Sequence, residues 1–133
     1  MWHHPLFSSS AHGNDPRSTE FWQALTAARV DVVLNGHDHG YERFDPQDAT
    51  GAPSPKGMRS FIVGTGGKSL YDFAEPEPNS AARIHGFGFL RMELKALSYQ
   101  WQFIREPEEA APSPSQPTDG GAATCTPKPR KRQ

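Results

Sequence analysis

Two histidines separated by one residue are the feature of this sequence most able to do chemistry. His37 and His39 are flanked by glycines and follow the apolar stretch 30–34. In an extended segment their side chains would point the same way, roughly 6–7 Å apart. That spacing suits two ions better than one, because paired catalytic metals lie about 3.5–4 Å apart and each needs its own imidazole. The alternative is a polar loop whose histidines face solvent.

A second group of histidines lies near the start of the chain. His3, His4 and His12 fall within the first dozen residues, so five of the six histidines occupy two short segments. Neutral imidazole binds zinc, iron and manganese alike, so these residues predict a metal site without naming the metal.

The elements that would position these histidines can be read from the apolar pattern. Residues 16–20 are typical of a helix start, and a buried helix face is predicted from helical spacing. The residues of that face are Phe21, Trp22, Leu25 and Ala28. The β-branched stretch 30–34 predicts a buried strand that delivers His37 at its carboxyl end, the edge where ligands bind in open α/β sheets.

The middle of the chain predicts one further strand between irregular segments. Residues 46–57 contain three prolines and two glycines and predict a loop, and residues 71–83 are expected to be irregular. Residues 59–63 predict a strand that ends in the glycine run 64–67. Those glycines would either let the backbone pass close to the histidines or form a plain tight turn.

The last third of the chain divides into a hairpin and a tail. Residues 88–94 and 98–105 show period-two patterning and predict an antiparallel hairpin with one apolar face. Residues 107–133 are rich in proline, serine and glycine and end in a basic cluster, which predicts a disordered tail beyond a folded domain at 1–106.

Charge and cysteine content exclude several functions. With 14 basic and 15 acidic residues the net charge is −1, so no global field favours nucleic acid, and the basic end is read as a solvated tail. No apolar run approaches the roughly 18 residues of a membrane span. The single Cys125 excludes an intrachain disulfide and a cysteine-based zinc cluster.

Several motifs together resemble the C-terminal half of the calcineurin-like metallophosphoesterases, in the branch similar to purple acid phosphatases. These motifs are His3-His4-Pro5, the Ser/His/Gly loop through His12-Gly13, and Gly36-His37-Asp38-His39-Gly40-Tyr41-Glu42-Arg43. The similarity continues to about Glu106. It implies an α/β fold, namely a partial four-layer sandwich in which two sheets pack between helices.

The resemblance also implies roles for the histidines. His3 and His37 would bind one of two divalent or trivalent ions, either iron, zinc or manganese, and His39 would bind the other. His12 would lie near the leaving-group oxygen as a proton donor, or be a surface histidine. His4 would face the substrate or support a ligand, and residues 41–43 would brace the metal-bearing loop, with substrate contact by Arg43 as an alternative.

Three further elements of the family do not occur in this sequence: Asp-x-His, the Gly-Asp with its bridging carboxylate, and Gly-Asn-His. We therefore expect a fragment that is inactive alone. Its parent would hydrolyse phosphomonoesters, with phosphodiesterase or nucleotidase activity as the alternative within the class. A non-catalytic remnant or partner-binding fragment is the alternative outside it. Because many relatives are secreted, the resemblance favours an extracytoplasmic parent.

Overall fold

The computed structural model describes residues 1–106 and 117–127, which form two β-sheets and one α-helix. In chain order the elements are a 3-10 turn (Pro16–Ser18), α1 (Thr19–Ala27), β1 (Val32–Asn35), β2 (Tyr41–Phe44), β3 (Arg59–Val63), β4 (Ser80–Ile84), β5 (Gly88–Leu94), β6 (Ser98–Arg105) and β7 (Pro117–Thr124). The first sheet has the order β1-β3-β2-β4, and the second has the order β5-β6-β7.

The predicted helix is confirmed, and its buried face is narrower than expected. Asp15 caps the preceding turn by accepting a hydrogen bond from the Arg17 amide, and Pro16 has the fixed φ that suits a helix start. Trp22 is buried, whereas Phe21 is 65% exposed and stacks on the ring of Trp2. Nine residues long, α1 is too short to cross a bilayer, and no helix among the described residues is long and apolar enough to do so.

The first sheet is covered on one face by α1 and on the other by the second sheet. Val33 of β1 points towards α1, while its neighbours Val32 and Leu34 point towards the second sheet. Between the sheets, the ring of Tyr41 stacks on that of Phe103, with centroids 4.1 Å apart. The described residues therefore form a helix–sheet–sheet arrangement, which is a partial form of the predicted sandwich.

Two strands of the first sheet were not predicted. β2 follows the histidine pair directly and lies between β3 and β4, antiparallel to both. β4 occupies residues predicted to be irregular, so that prediction is wrong for 80–83. Its sequence, Ser-Ala-Ala-Arg-Ile, has too little apolar character to show a strand pattern, and it forms because the open edge of β2 supplies backbone partners.

The predicted hairpin is confirmed, and part of the predicted tail is wrong. β5 and β6 pair antiparallel from Gly88↔Arg105 to Leu94↔Tyr99. β7, which composition assigned to a disordered tail, pairs along β6. Glycine permits this pairing, because a Cβ at Gly121 would overlap the indole ring of Trp101. The remaining tail residues, 107–116 and 128–133, lie outside the described part of the chain.

Candidate metal centre

The histidine pair follows β1 in two successive tight turns. The Asp38 amide donates to the Gly36 carbonyl at 2.8 Å, and the Gly40 amide donates to the Asp38 carbonyl at 3.0 Å. His37, at the centre of the first turn, has φ +69°, a conformation that is rare and strained for a residue other than glycine. The segment is therefore not extended, and the extended geometry from which a spacing of roughly 6–7 Å was predicted is wrong.

The start of the chain reaches the same place by pairing with β1. The Trp2 amide donates to the Leu34 carbonyl, and the Gly36 amide donates to the His3 carbonyl at 3.0 Å. This parallel alignment places His3 beside the turn that carries His37. The sequence predicted the proximity of His3 and His37 through the family resemblance alone. The backbone pairing is the physical cause of that proximity.

Three imidazoles converge at this point. His3 Nε2 lies 3.2 Å from His37 Nδ1, and His4 supplies a third ring whose centroid is 4.2 Å from that of His37. One ring nitrogen from each of the three lies within 4.8 Å of the others. Among the described residues, no carboxylate belongs to this cluster.

The environment of His37 favours its neutral form. Burial lowers the pKa of His37, and the neighbouring His4 and His12 lower it further, against an opposing effect of Asp38. A metal ion binds the neutral imidazole, so this shift lowers the proton competition that a metal meets at neutral pH.

His39 lies apart from the three-histidine cluster, in contact with the loop that follows the glycine run. Its Nδ1 lies 2.8 Å from the Ser69 carbonyl oxygen, which can only accept, so Nδ1 carries the proton and Nε2 keeps its lone pair. The ring of Tyr71 stacks on that of His39 with centroids 4.1 Å apart. Such an arrangement fixes both the tautomer and the ring plane of a candidate ligand.

His12 is exposed and lies at the edge of the cluster. Its ring centroid is 4.4 Å from that of His37 and 5.2 Å from that of Tyr71. The structure thus brings four of the five predicted site histidines together, with His39 connected to them through Tyr71. Tyr71 and Ser69 were missed, because a single tyrosine in an irregular segment gives no periodic signal.

Glu42 holds the loop between His4 and His12 against β2. Its carboxylate accepts hydrogen bonds from the Ser9 amide at 2.9 Å and from the hydroxyls of Ser9 and Ser80. Burial raises the pKa of Glu42, against the opposing effect of these hydrogen bonds. Glu42 thus fixes the loop that carries His12, whereas the prediction was that it braces the turn of His37 and His39.

Tyr41 and Arg43 face the second sheet and both bind Asp119 of β7. The Tyr41 hydroxyl donates to Asp119 at 2.6 Å, and Arg43 Nε donates at 2.8 Å. These two residues therefore join β2 to β7, and the alternative in which Arg43 contacts substrate gains no support.

The glycine run passes directly against the turn that bears the histidines. A Cβ at Gly64 would overlap the Asp38 carbonyl oxygen, and the Gly64 amide donates to the Gly40 carbonyl at 3.1 Å. The close-approach interpretation therefore holds for Gly64. His85, the sixth histidine, lies outside both histidine segments and has a 53% exposed side chain 3.6 Å from Asp72.

The fold of this chain is similar to the folds of two solved structures. Purple acid phosphatase PPD1 from yellow lupin (Lupinus luteus) seeds matches 92% of this chain at 22% identity and a TM-score of 0.72. GAP50, the anchor in the inner membrane complex of Plasmodium, matches 95% at 18% identity and a TM-score of 0.76. The chain covers 24% and 36% of these two proteins, respectively.

These similarities define the fold. It is part of the calcineurin-like metallophosphoesterase fold, in the form found in purple acid phosphatases, as the sequence motifs predicted. No protein-family model and no curated protein matches the sequence. At 22% and 18% sequence identity, the similarity shows the fold and not the activity.

Proposed function

We propose that this chain supplies the histidine side of a two-metal phosphoesterase centre. The observation that carries the proposal is the 3.2 Å separation of His3 Nε2 and His37 Nδ1 at the carboxyl end of β1. Nitrogens bound to one tetrahedral zinc ion at 2.0–2.1 Å lie about 3.3 Å apart, so the pair already has the spacing of shared ligation. His39, with Nε2 available, is the proposed ligand of a second ion.

The donor set fits a transition metal better than a hard cation. Every member of the cluster is an imidazole, and imidazole suits zinc, iron or manganese, whereas magnesium and calcium take oxygen ligands. When bound, such ions supply a hydroxide near neutral pH and spread the charge on phosphoryl oxygens. The proposed centre also needs the bridging carboxylate that the described cluster lacks.

The other residues have distinct proposed tasks. His12 is the proton donor to the leaving alkoxide, since its exposed ring lies beside His37 and imidazole is the side chain that most often transfers protons in catalysis. Ser69 and Tyr71 orient His39, and Glu42 holds the loop of His12 in place. The substrate class is a phosphomonoester, with phosphodiesters or nucleotides as alternatives.

A non-catalytic role is the second candidate. Its support is the similarity to GAP50, which is described as an anchor, together with the lack of a carboxylate in the described histidine cluster. In that case the fold would be retained for binding a partner and the histidines would bind metal without turnover.

Hydrolysis of an aryl phosphate separates the two candidates. We expect the chain alone to be inactive with added zinc or manganese, because two or three imidazoles without a bridging carboxylate do not hold a metal pair. Joined to a segment that carries Asp-x-His, Gly-Asp and Gly-Asn-His, the chain should give metal-dependent hydrolysis that His37→Ala abolishes. Metal binding without hydrolysis in that joined protein would favour the non-catalytic role.

A further inference from the structure

His4 is the third histidine of the cluster, and the resemblance has it facing the substrate or supporting a ligand. The resemblance gives it no ligand role, yet its ring centroid lies 4.2 Å from that of His37 and 4.9 Å from that of His3. Its backbone is held in place, because the His4 carbonyl accepts from the Ser18 hydroxyl at 3.2 Å and lies 3.4 Å from Asn35 Nδ2. The ring is therefore presented to the cluster by an anchored segment.

The spacing of the three rings suits one ion. His3 Nε2 and His37 Nδ1 are already 3.2 Å apart, and the His4 nitrogen lies within 4.8 Å of both. Since ligands of a tetrahedral zinc ion are about 3.3 Å apart, His4 has to close a gap of roughly 1.5 Å at most. The His4 side chain is half-buried, and a change between staggered side-chain conformers moves ring atoms by more than this distance.

The geometry points to a three-imidazole site in which His4 joins His3 and His37 as a direct ligand of a single divalent transition-metal ion. This inference rests on the proposed function for His3 and His37 and adds the third ligand. Three histidines leave one tetrahedral position for water, the arrangement typical of catalytic zinc. It follows that the chain binds one such ion without any carboxylate ligand and without His39.

Cobalt(II) titration of the full chain tests the inference, because the visible absorption of cobalt reports tetrahedral ligation. We expect one ion per chain, and zinc should displace it. His4→Ala and His37→Ala should each weaken zinc binding by more than about 100-fold, beyond the loss of about 10–100-fold typical of residues that only support a ligand. A loss within that smaller range in His4→Ala would make His4 a supporting residue and overturn the inference. His85→Ala, which removes an exposed histidine, is the matched control and should leave the affinity unchanged.

The variants distinguish failure of the inference from failure of the proposed function. Unchanged affinity in His4→Ala with weakened affinity in His3→Ala and His37→Ala would overturn the His4 assignment and leave the proposed pair standing. Unchanged affinity in all three would overturn both.

A measurement on the wild-type chain covers the case in which His4→Ala fails to fold. Zinc titration followed by nitrogen NMR of the imidazoles should shift one ring nitrogen in each of His3, His4 and His37. A His4 ring whose nitrogens do not respond would overturn the inference.

Discussion

Two polar regions of this molecule differ in how completely their charged and polar groups are hydrogen-bonded. Between the sheets, the Asp119 carboxylate accepts hydrogen bonds from Tyr41, from two nitrogens of Arg43 and from Trp101. At the end of β1, by contrast, imidazoles crowd together, His37 has a strained backbone, and the buried Asp38 carboxylate has no hydrogen-bond partner among the described residues.

The difference indicates what each region does. A buried network in which every group has a partner stabilises and specifies the packing of two sheets. Strain and unpaired polar groups reduce stability, and they persist at sites where a ligand completes the arrangement. We therefore interpret the Asp119 network as structural, and the contrast supports the proposal that the histidine region is a metal centre.

The largest expected effect belongs to His12 in the histidine region. In the chain joined to a carboxylate-bearing N-terminal segment, His12→Ala should lower kcat by about 10²–10⁴ for a substrate with a poor leaving group. An activated aryl phosphate should be affected much less, because its leaving group needs little protonation. Steady-state rates for both substrates, with metal content measured alongside, check this. Equal slowing of both with loss of metal would make His12 a ligand.

In the Asp119 network, Asp119→Ala should destabilise the chain by about 3 kcal/mol, since it leaves the Arg43 guanidinium largely buried without its main partner. Chemical denaturation measures this, and zinc affinity should not change. Asp45→Ala is the control, because Asp45 is 57% exposed and its loss should cost less than about 1 kcal/mol. Similar costs for both variants would remove the distinction between the network and an ordinary surface pair.

The same carboxylate predicts a pH dependence. Burial raises the pKa of Asp119, and hydrogen bonds from Arg43 and Tyr41 outweigh it, so the net shift is downwards. A lowered pKa in the folded state contributes stability above the unfolded value near 3.9, and that contribution is lost as the pH falls through the folded value. The stability that wild type has over Asp119→Ala should therefore be constant near neutral pH and shrink as the pH falls below about 4, which chemical denaturation at several pH values measures.

A smaller effect is expected where the glycine run meets the histidine turn. Gly64→Ala should cost about 2 kcal/mol and weaken zinc binding, because its Cβ would displace the Asp38 backbone between the two histidines. At Gly66 nothing lies within 4 Å of an added Cβ, so Gly66→Ala should be close to neutral. Melting temperatures and zinc titrations of the two variants show whether Gly64 is needed for the close approach of the backbone to Asp38.

The smallest effect has the opposite sign. His37→Gly should stabilise the metal-free chain by about 1 kcal/mol, because glycine accepts φ +69° without strain, and it should lose zinc binding. Arg29→Gly relieves a comparable φ of +54° and should stabilise the chain while leaving zinc binding intact. If His37→Gly destabilised the chain, the backbone conformation of His37 would not lower the stability of the metal-free chain.

Much of the framework could be predicted from the sequence, because local patterns encode it. The helix near Trp22, the strand before His37 and the hairpin of β5 and β6 all follow from apolar periodicity. β4 and β7 could not be predicted, because neither is apolar and each forms by pairing with another strand, β4 with β2 and β7 with β6. From the sequence alone, the glycines after Asp119 predict disorder. Only the structure shows that they give room for Trp101.

For the candidate site, the residue types were predictable and their geometry was not. The His-x-His motif identified His37 and His39, but the assumption of an extended backbone misplaced them. The two tight turns depend on backbone hydrogen bonds that the sequence motif does not specify. Tyr71 and Ser69 are brought to His39 by the tertiary fold alone. The site assignments themselves remain predictions.

Anomalous X-ray diffraction from crystals of the chain grown with zinc shows whether the histidine region is a metal centre. If it is, an anomalous peak will lie about 2.0–2.1 Å from both His3 Nε2 and His37 Nδ1. Zinc bound elsewhere, with His3 and His37 still 3.2 Å apart and hydrogen-bonded to each other, would contradict it.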